Sequence, residues 1–206
     1  MRLDAQLRNS LRRLEREFHT LKDEPLRRVI LRNRPLRPFR RRQFHAFGRE
    51  SLIDRPCWLY GTQHIAVGDG VIILEHGWLA VERVAWQRPP PVLDIGSRVA
   101  IRVGCTISAA ESIVIDDDVG MGAYVTVIDS RHTWSGGRPN PMHNPIVTQP
   151  IRIGRGTWLA DRVTVAGGAE IGEQCAVGPN TVVSAKIPDF SIVIGNPGRV
   201  VGSTRT

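Results

Sequence analysis

Proton transfer and metal chemistry near neutral pH draw on few side chains, and in this chain of 206 residues the main candidates are six histidines and three cysteines. The histidines are His19, His45, His64, His76, His132 and His143. A zinc site of the three-histidine kind needs converging ligands, two of them close in sequence, and these six offer no suitable close pair. Cys57, Cys105 and Cys175 are far apart and odd in number, and they form no CxxC pair. That speaks against a disulfide framework or a thiolate metal site, and the three read as inert structural thiols. What remains is a histidine acting as a base, since imidazole titrates near neutrality without help. A lone histidine is usually a surface or satisfied core residue, so its meaning depends on the elements that hold it.

Those elements belong to a β- and turn-rich chain. With 41% hydrophobic but only 6% aromatic residues, 20 Gly and 14 Pro, the composition does not suit a helical bundle. The length fits one domain with an appendage. No apolar run approaches the ~18 residues of a membrane span, and the opening MRLDAQLRNS lacks the apolar region of a secretory signal. A cytoplasmic protein is expected. The formal charge of +8 is local: residues 25–50 carry nine arginines against Glu50, while residues 51–206 carry 13 basic and 14 acidic groups.

Residues 1–46 read as the appendage. Leu3, Leu7, Leu11, Leu14, Phe18 and Leu21 form one apolar stripe on a helix ending before Pro25. Such a helix packs on the body or a neighbouring subunit, or lies on a membrane surface. In residues 26–47, arginines alternate with Leu36, Phe39 and Phe44, and Pro35 and Pro38 are expected to interrupt any helix. The result is an Arg-rich strap suited to anionic lipid headgroups, glycan phosphates or nucleic acid, or else a solvated arm or subunit clamp.

From residue 47 to 202 the chain repeats. Ile153, Leu159, Val165, Ile171, Val177 and Val183 recur every six residues, each followed by Gly, Ala or Ser. Four positions after each come Thr157, Val163, Ala169, Cys175, Thr181 and Ile187. Val67, Ile73 and Leu79 keep the same step, as do Ile95, Ile101 and Ile107, and Ile115, Met121 and Val127. Between Ile107 and Ile115 the step is eight, which reads as a two-residue bulge, and residues 80–94 read as a loop leaving the coil. A period of six fits neither a helix nor a long strand. It describes short strands joined by turns, three to a triangular coil, with stacked coils burying aliphatic ladders. Residues 133–150 fall outside the repeat, and 203–206 form a tail.

The run from Ile153, IGRGTWLADRVTVAGGAEIGEQCAVGPNTVVSAKIPDFSIVIGNPGRVV, closely resembles the C-terminal signature of hexapeptide-repeat acyltransferases. This group includes maltose, galactoside and xenobiotic acetyltransferases and enzymes that decorate surface polysaccharides. The resemblance implies an all-β, left-handed parallel β-helix; the handedness is the family's, since the period does not fix it. It also implies acetyl-CoA as cosubstrate, no metal, and a homotrimer whose grooves lie between subunits. His132, in VIDSRHTW, matches the family's general base, which takes a proton from an acceptor hydroxyl attacking the thioester. Many surface-glycan relatives carry Asp-His-Asp-His where this chain has Asp129-Ser130-Arg131-His132, which leaves Asp129 as the candidate to orient the base.

By the same resemblance Trp158 lies in the groove, Ala160, Asp161, Pro179, Ser184 and Ala185 line the pantetheine path, and Arg199 approaches the CoA phosphates. Ser184-Ala185 stand where the family often has Thr-Lys, so Arg155, Arg162 or Lys186 could supply a missing phosphate contact. Arg102 replaces an acceptor-binding asparagine, which argues against the same small sugar and for an anionic acceptor. Trp134 and His143 are placed to touch substrate from the 133–150 excursion. The expected activity is O-acetylation of a sugar hydroxyl in cell-envelope or surface-glycan synthesis, with residues 25–50 holding the enzyme at the inner membrane face. A coil kept as a non-catalytic scaffold is the alternative, and direct nucleic-acid binding by residues 25–50 is the weaker third reading.

Overall fold

A computed structural model describes residues 29–30, 33–134 and 140–205. The stripe at 3–21 and residues 26–28 and 31–32 of the Arg-rich strap lie outside them. The chain divides into two compact units, Met1–Arg37 and Pro38–Thr206, and the second carries the repeat.

The second unit is a three-faced parallel β-helix. One face has seven strands, running in order from Ala46–Phe47 to Lys186–Ile187. The next has seven parallel strands from Leu52–Ile53 to Ser191–Ile194, closed by the antiparallel strand Arg199–Ser203. The third has six strands, from Trp58–Tyr60 to Val182–Val183. Ladder residues pair with their equivalents one coil away, as Ile115 does with Ile95 and Ile153, and Val127 with Ile107 and Val165. All six of the Ile153–Val183 ladder are at most 2% exposed. The inner positions four residues later, from Thr157 to Ile187, are buried as well. The all-β expectation and the ladder register are both realised. Each fully buried aliphatic contributes roughly 1.5–3 kcal/mol, and β-branched residues suit the pleat.

Turns follow from the same period. The third residue after a ladder position takes a left-handed backbone: Arg98, Asp118, Gln174 and Phe190 after the first face, and Tyr124, Arg162 and Asn180 after the second, with φ between 55° and 62°. Glycine relieves the tightest approaches. A Cβ on Gly154 would sit 2.5 Å from the Gly172 carbonyl carbon on the next coil. Turn carboxylates stitch coils together, as where Ser97 N donates to Asp117 Oδ1 at 2.8 Å and Ala123 N to Asp161 Oδ1 at 2.8 Å.

One expectation needs correcting. Pro38 does not prevent a helix: α1 spans Arg37–Gln43, and a proline in a helix's first turn removes no intrahelical hydrogen bond. After α1, Phe44 and Phe47 pack 5.2 Å apart in the core at the first coil. Buried Arg40 donates to the Ile53 carbonyl at 3.3 Å. The strap's C-terminal part thus belongs to the body, while Phe39 stays exposed. No described helix is long and apolar enough to cross a membrane.

Ladder and outward positions should differ sharply under mutation. Leu159→Ala is expected to cost ~2–5 kcal/mol in urea unfolding. Glu170→Ala, which removes an exposed pair with Lys186, should cost under ~1 kcal/mol.

Candidate active site

Every irregular step in the repeat occurs at one corner. From face one to two and from two to three, ladder residues are always six apart. From face three back to face one the steps are Leu59 to Val67, Leu79 to Ile95, Ile107 to Ile115, Val127 to Ile153, Val165 to Ile171 and Val183 to Ile187. They range from 26 down to four residues. Stacked extra residues at that corner build a groove of about 700 Å³.

The longest excursion supplies His132. It begins as a hairpin, Ser130–His132 pairing antiparallel with Ile146–Thr148, so His132 lies within the excursion rather than before it. Its ring Nδ1 is 3.0 Å from the Asn144 carbonyl oxygen. Because a carbonyl only accepts, Nδ1 carries the proton, and the neutral ring keeps its lone pair on Nε2. That is the form a general base requires. The hairpin's far side is tied by Asn144 Nδ2 donating to the Thr133 carbonyl at 2.8 Å.

Asp129 does different work from that expected. It is fully buried, and its carboxylate accepts from the backbone N–H groups of Ala110, Glu111 and Ser112 at 2.7, 2.8 and 2.9 Å. Those donors belong to the bulge one coil away. Its own carbonyl accepts from Gln149 N at 2.8 Å, where the excursion returns. Burial pushes the carboxyl above its usual range, and the three N–H donors oppose that shift. Asp129 therefore anchors both ends of the excursion, and the orienting contact to His132 comes from Asn144.

Residues not singled out from sequence form the rest of the groove. Trp58, Tyr60 and Trp78 come from the third face and its corner, Glu82, Arg83 and Val84 from the second excursion, and Met142 and Ile146 from the hairpin. Ser108 Oγ donates to Glu82 Oε1 at 2.9 Å. Trp86 Nε1 donates to the Val81 carbonyl at 3.0 Å, fixing the loop against Tyr60, 5.5 Å away ring to ring. Writing the coils beneath one another would have exposed both the shared corner and the paired tryptophans. Trp134 and His143 are exposed and do not line the groove. Arg102 is also exposed, at the corner between faces two and three.

The expected cofactor residues divide between two corners. Trp158 lies outward on face two, its ring over Gly120. Ala160, Asp161 and Pro179 follow at the corner between faces two and three, while Ser184 and Ala185 continue the corner that carries His132. Arg199 is exposed on the closing strand. Of the substitute cations, Lys186 pairs with Glu170 at 3.0 Å, Arg162 sits over the Tyr124 ring, and Arg155 lines a recess on face one. Burial pushes the Cys57 and Cys105 thiols up to about 11 and raises Cys175, so none supplies a thiolate near neutrality. Among the described residues no three of His, Cys, Asp and Glu converge as a metal set.

Known proteins are similar to this chain in sequence and in fold. The family described as bacterial transferase hexapeptide (six repeats) matches residues 150–185. A probable acetyltransferase of Mycobacterium tuberculosis is 33% identical over 53% of this chain and 36% of its own length. A putative lipopolysaccharide biosynthesis O-acetyl transferase of Escherichia coli is 31% identical over 53% of this chain and 60% of its own. The chain thus spans between a third and two thirds of these relatives. Among solved structures, an N-acyltransferase from Bacillus cereus, bound to dTDP-4-amino-4,6-dideoxyglucose and coenzyme A, superposes with a TM-score of 0.70. At 20% identity over 81% of this chain and 87% of that one, it shares the fold.

Removing the Asp129 anchor should loosen the site from its base. Asp129→Ala is expected to cost ~2–4 kcal/mol in urea unfolding, because buried N–H groups lose their acceptor. Asp129→Asn should still cost ~1–3 kcal/mol, since its amide nitrogen faces at least one of the same donors.

Proposed function

We propose that this chain is a hexapeptide-repeat acyltransferase, an acetyl-CoA-dependent O-acetyltransferase acting on a sugar hydroxyl, with His132 as general base. The observation that carries this reading is the His132–Asn144 contact at the wall of the groove, which engages Nδ1 and leaves Nε2 without a hydrogen-bond partner among the described residues. The acceptor oxygen bonds to the thioester carbonyl carbon as its proton passes to Nε2. The carbon–sulfur bond then breaks, and the proton leaves with the thiol of CoA. No covalent enzyme intermediate is needed, because the thioester is already activated.

Acetyl-CoA supplies the activated acyl group. The small side chains of Ala160, Ser184 and Ala185, with Pro179, leave exposed backbone along the last coils for a narrow pantetheine arm, and exposed Arg199 suits its phosphates. Trp158 and Asp161 flank that path on face two and its corner. Ala160 and Pro179 share a corner that does not hold His132. A donor touching both sets would run between two copies, which supports a closed three-fold ring. The lipopolysaccharide O-acetyl transferase of E. coli supports oxygen over nitrogen as the acceptor atom and a role in envelope glycans. Arg102, Trp134 and His143 would act in acceptor binding only from a neighbouring copy or after the excursion moves. The arginines of residues 25–50 would hold the enzyme at anionic membrane surfaces on the cytoplasmic side.

The test is CoA release from acetyl-CoA against a panel of sugars and nucleotide sugars. His132→Ala should lower turnover ~10²–10⁴-fold with the sedimentation coefficient unchanged, and the product should be an ester that resists neutral hydroxylamine and is cleaved by alkaline hydroxylamine. An amide product would move the reading to N-acetylation, and failure to bind acetyl-CoA would favour the scaffold. Cosedimentation with phosphatidylglycerol vesicles should be strong at low salt and lost at high salt; no binding at low salt refutes the membrane role.

A further inference from the structure

The groove extends well beyond its base. His132 leaves the coil whose third-face rung is Val127. Trp78 stands on that face two coils away, and Trp58 three coils away, paired directly with Trp78. Coils stack about 4.8 Å apart, so the two rungs lie about 10 and 14 Å along the axis from that of Val127. This is farther than a single pyranose spans. Between them the outward positions are Thr106 and Thr126, small enough to leave the path open.

The two indoles are 68% and 44% exposed, at outward positions that threonines and Val182 hold further along. Large rings left in water on neighbouring rungs form one apolar surface, and its edge is polar and fixed. Glu82 is held by Ser108, and Arg83 lies 5.7 Å above the Trp86 ring. Exposed aromatic rings beside a fixed carboxylate and a guanidinium are the chemistry that recognises sugars. Their C–H faces stack on π surfaces while their hydroxyls bond at the rim.

We propose that the acceptor is a glycan chain of at least two sugars, its non-reacting residues stacked on Trp78 and Trp58 while one hydroxyl is presented to His132. This rests on the sugar-acetylation reading and adds the size and binding mode of the acceptor. Binding energy from the distant sugars would then position the reacting hydroxyl, so short acceptors would be poor substrates as well as weak ligands.

The test reads binding without turnover. The wild-type protein, without acetyl-CoA, is applied to an array of mono- to hexasaccharides, and hits are titrated by tryptophan fluorescence. Binding should appear only from the disaccharide upward and strengthen about tenfold by the trisaccharide. Trp78→Ala should abolish the length dependence, Trp58→Ala reduce it, and Trp78→Phe restore part of it. Binding limited to monosaccharides, or no glycan binding at all, overturns the proposal. So does dissociation of the oligomer in both alanine variants, which would make the surface a contact between copies. Length-dependent binding in a protein that transfers no acetyl group would keep the proposal and sink the enzymatic reading.

Discussion

In-register pairing between stacked coils is the constraint on which the whole molecule rests. Each rung gives its backbone hydrogen bonds to the rungs on either side and its aliphatic side chain to a shared interior. A one-residue slip would turn every inward side chain outward. Extra residues therefore have nowhere to go inside a strand and must leave at a corner. Here they all leave at the same corner, between the third face and the first. A rigid scaffold and a concave site follow from one rule.

That corner must also be held. Excursions expose backbone groups that the ladder would otherwise satisfy, and Asp129, at the start of the largest, resolves this for the neighbouring coil's bulge by accepting three of its N–H groups. A carboxylate placed in the interior with three partners is stable where an unpaired one would not be. The Asn144 carbonyl then sets the ring of His132. A backbone carbonyl orients this ring without a carboxylate partner. It accounts for a motif in which only Asp129 and His132 persist from the longer acidic and histidine run of related enzymes.

Parts of this were legible beforehand and parts were not. Periodicity located the ladders to the residue, because an unbroken step of six admits one inward set. Family likeness singled out His132 but misjudged Asp129, whose partners lie 17 to 19 residues away and one coil removed. Helix α1 was missed because Pro38 was weighed as a breaker when it occupies the first turn. The paired tryptophans were missed because outward residues carry no periodic hydrophobic signal. Trp134 and His143 were favoured for lying in the excursion, yet the structure turns Met142 and Ile146 into the groove instead.

By itself the sequence determined the repeat and the inward ladders, and it singled out His132 as the histidine to examine. Those are local or periodic properties, set by side-chain volume, strand alternation and the acidity of imidazole. Only the tertiary structure decided which excursions share a corner, which carboxylate anchors the bulge and which aromatics share a groove with His132. Those depend on coils being superposed, so that Trp58, Glu82 and His132, scattered over more than 70 positions in the chain, line one groove.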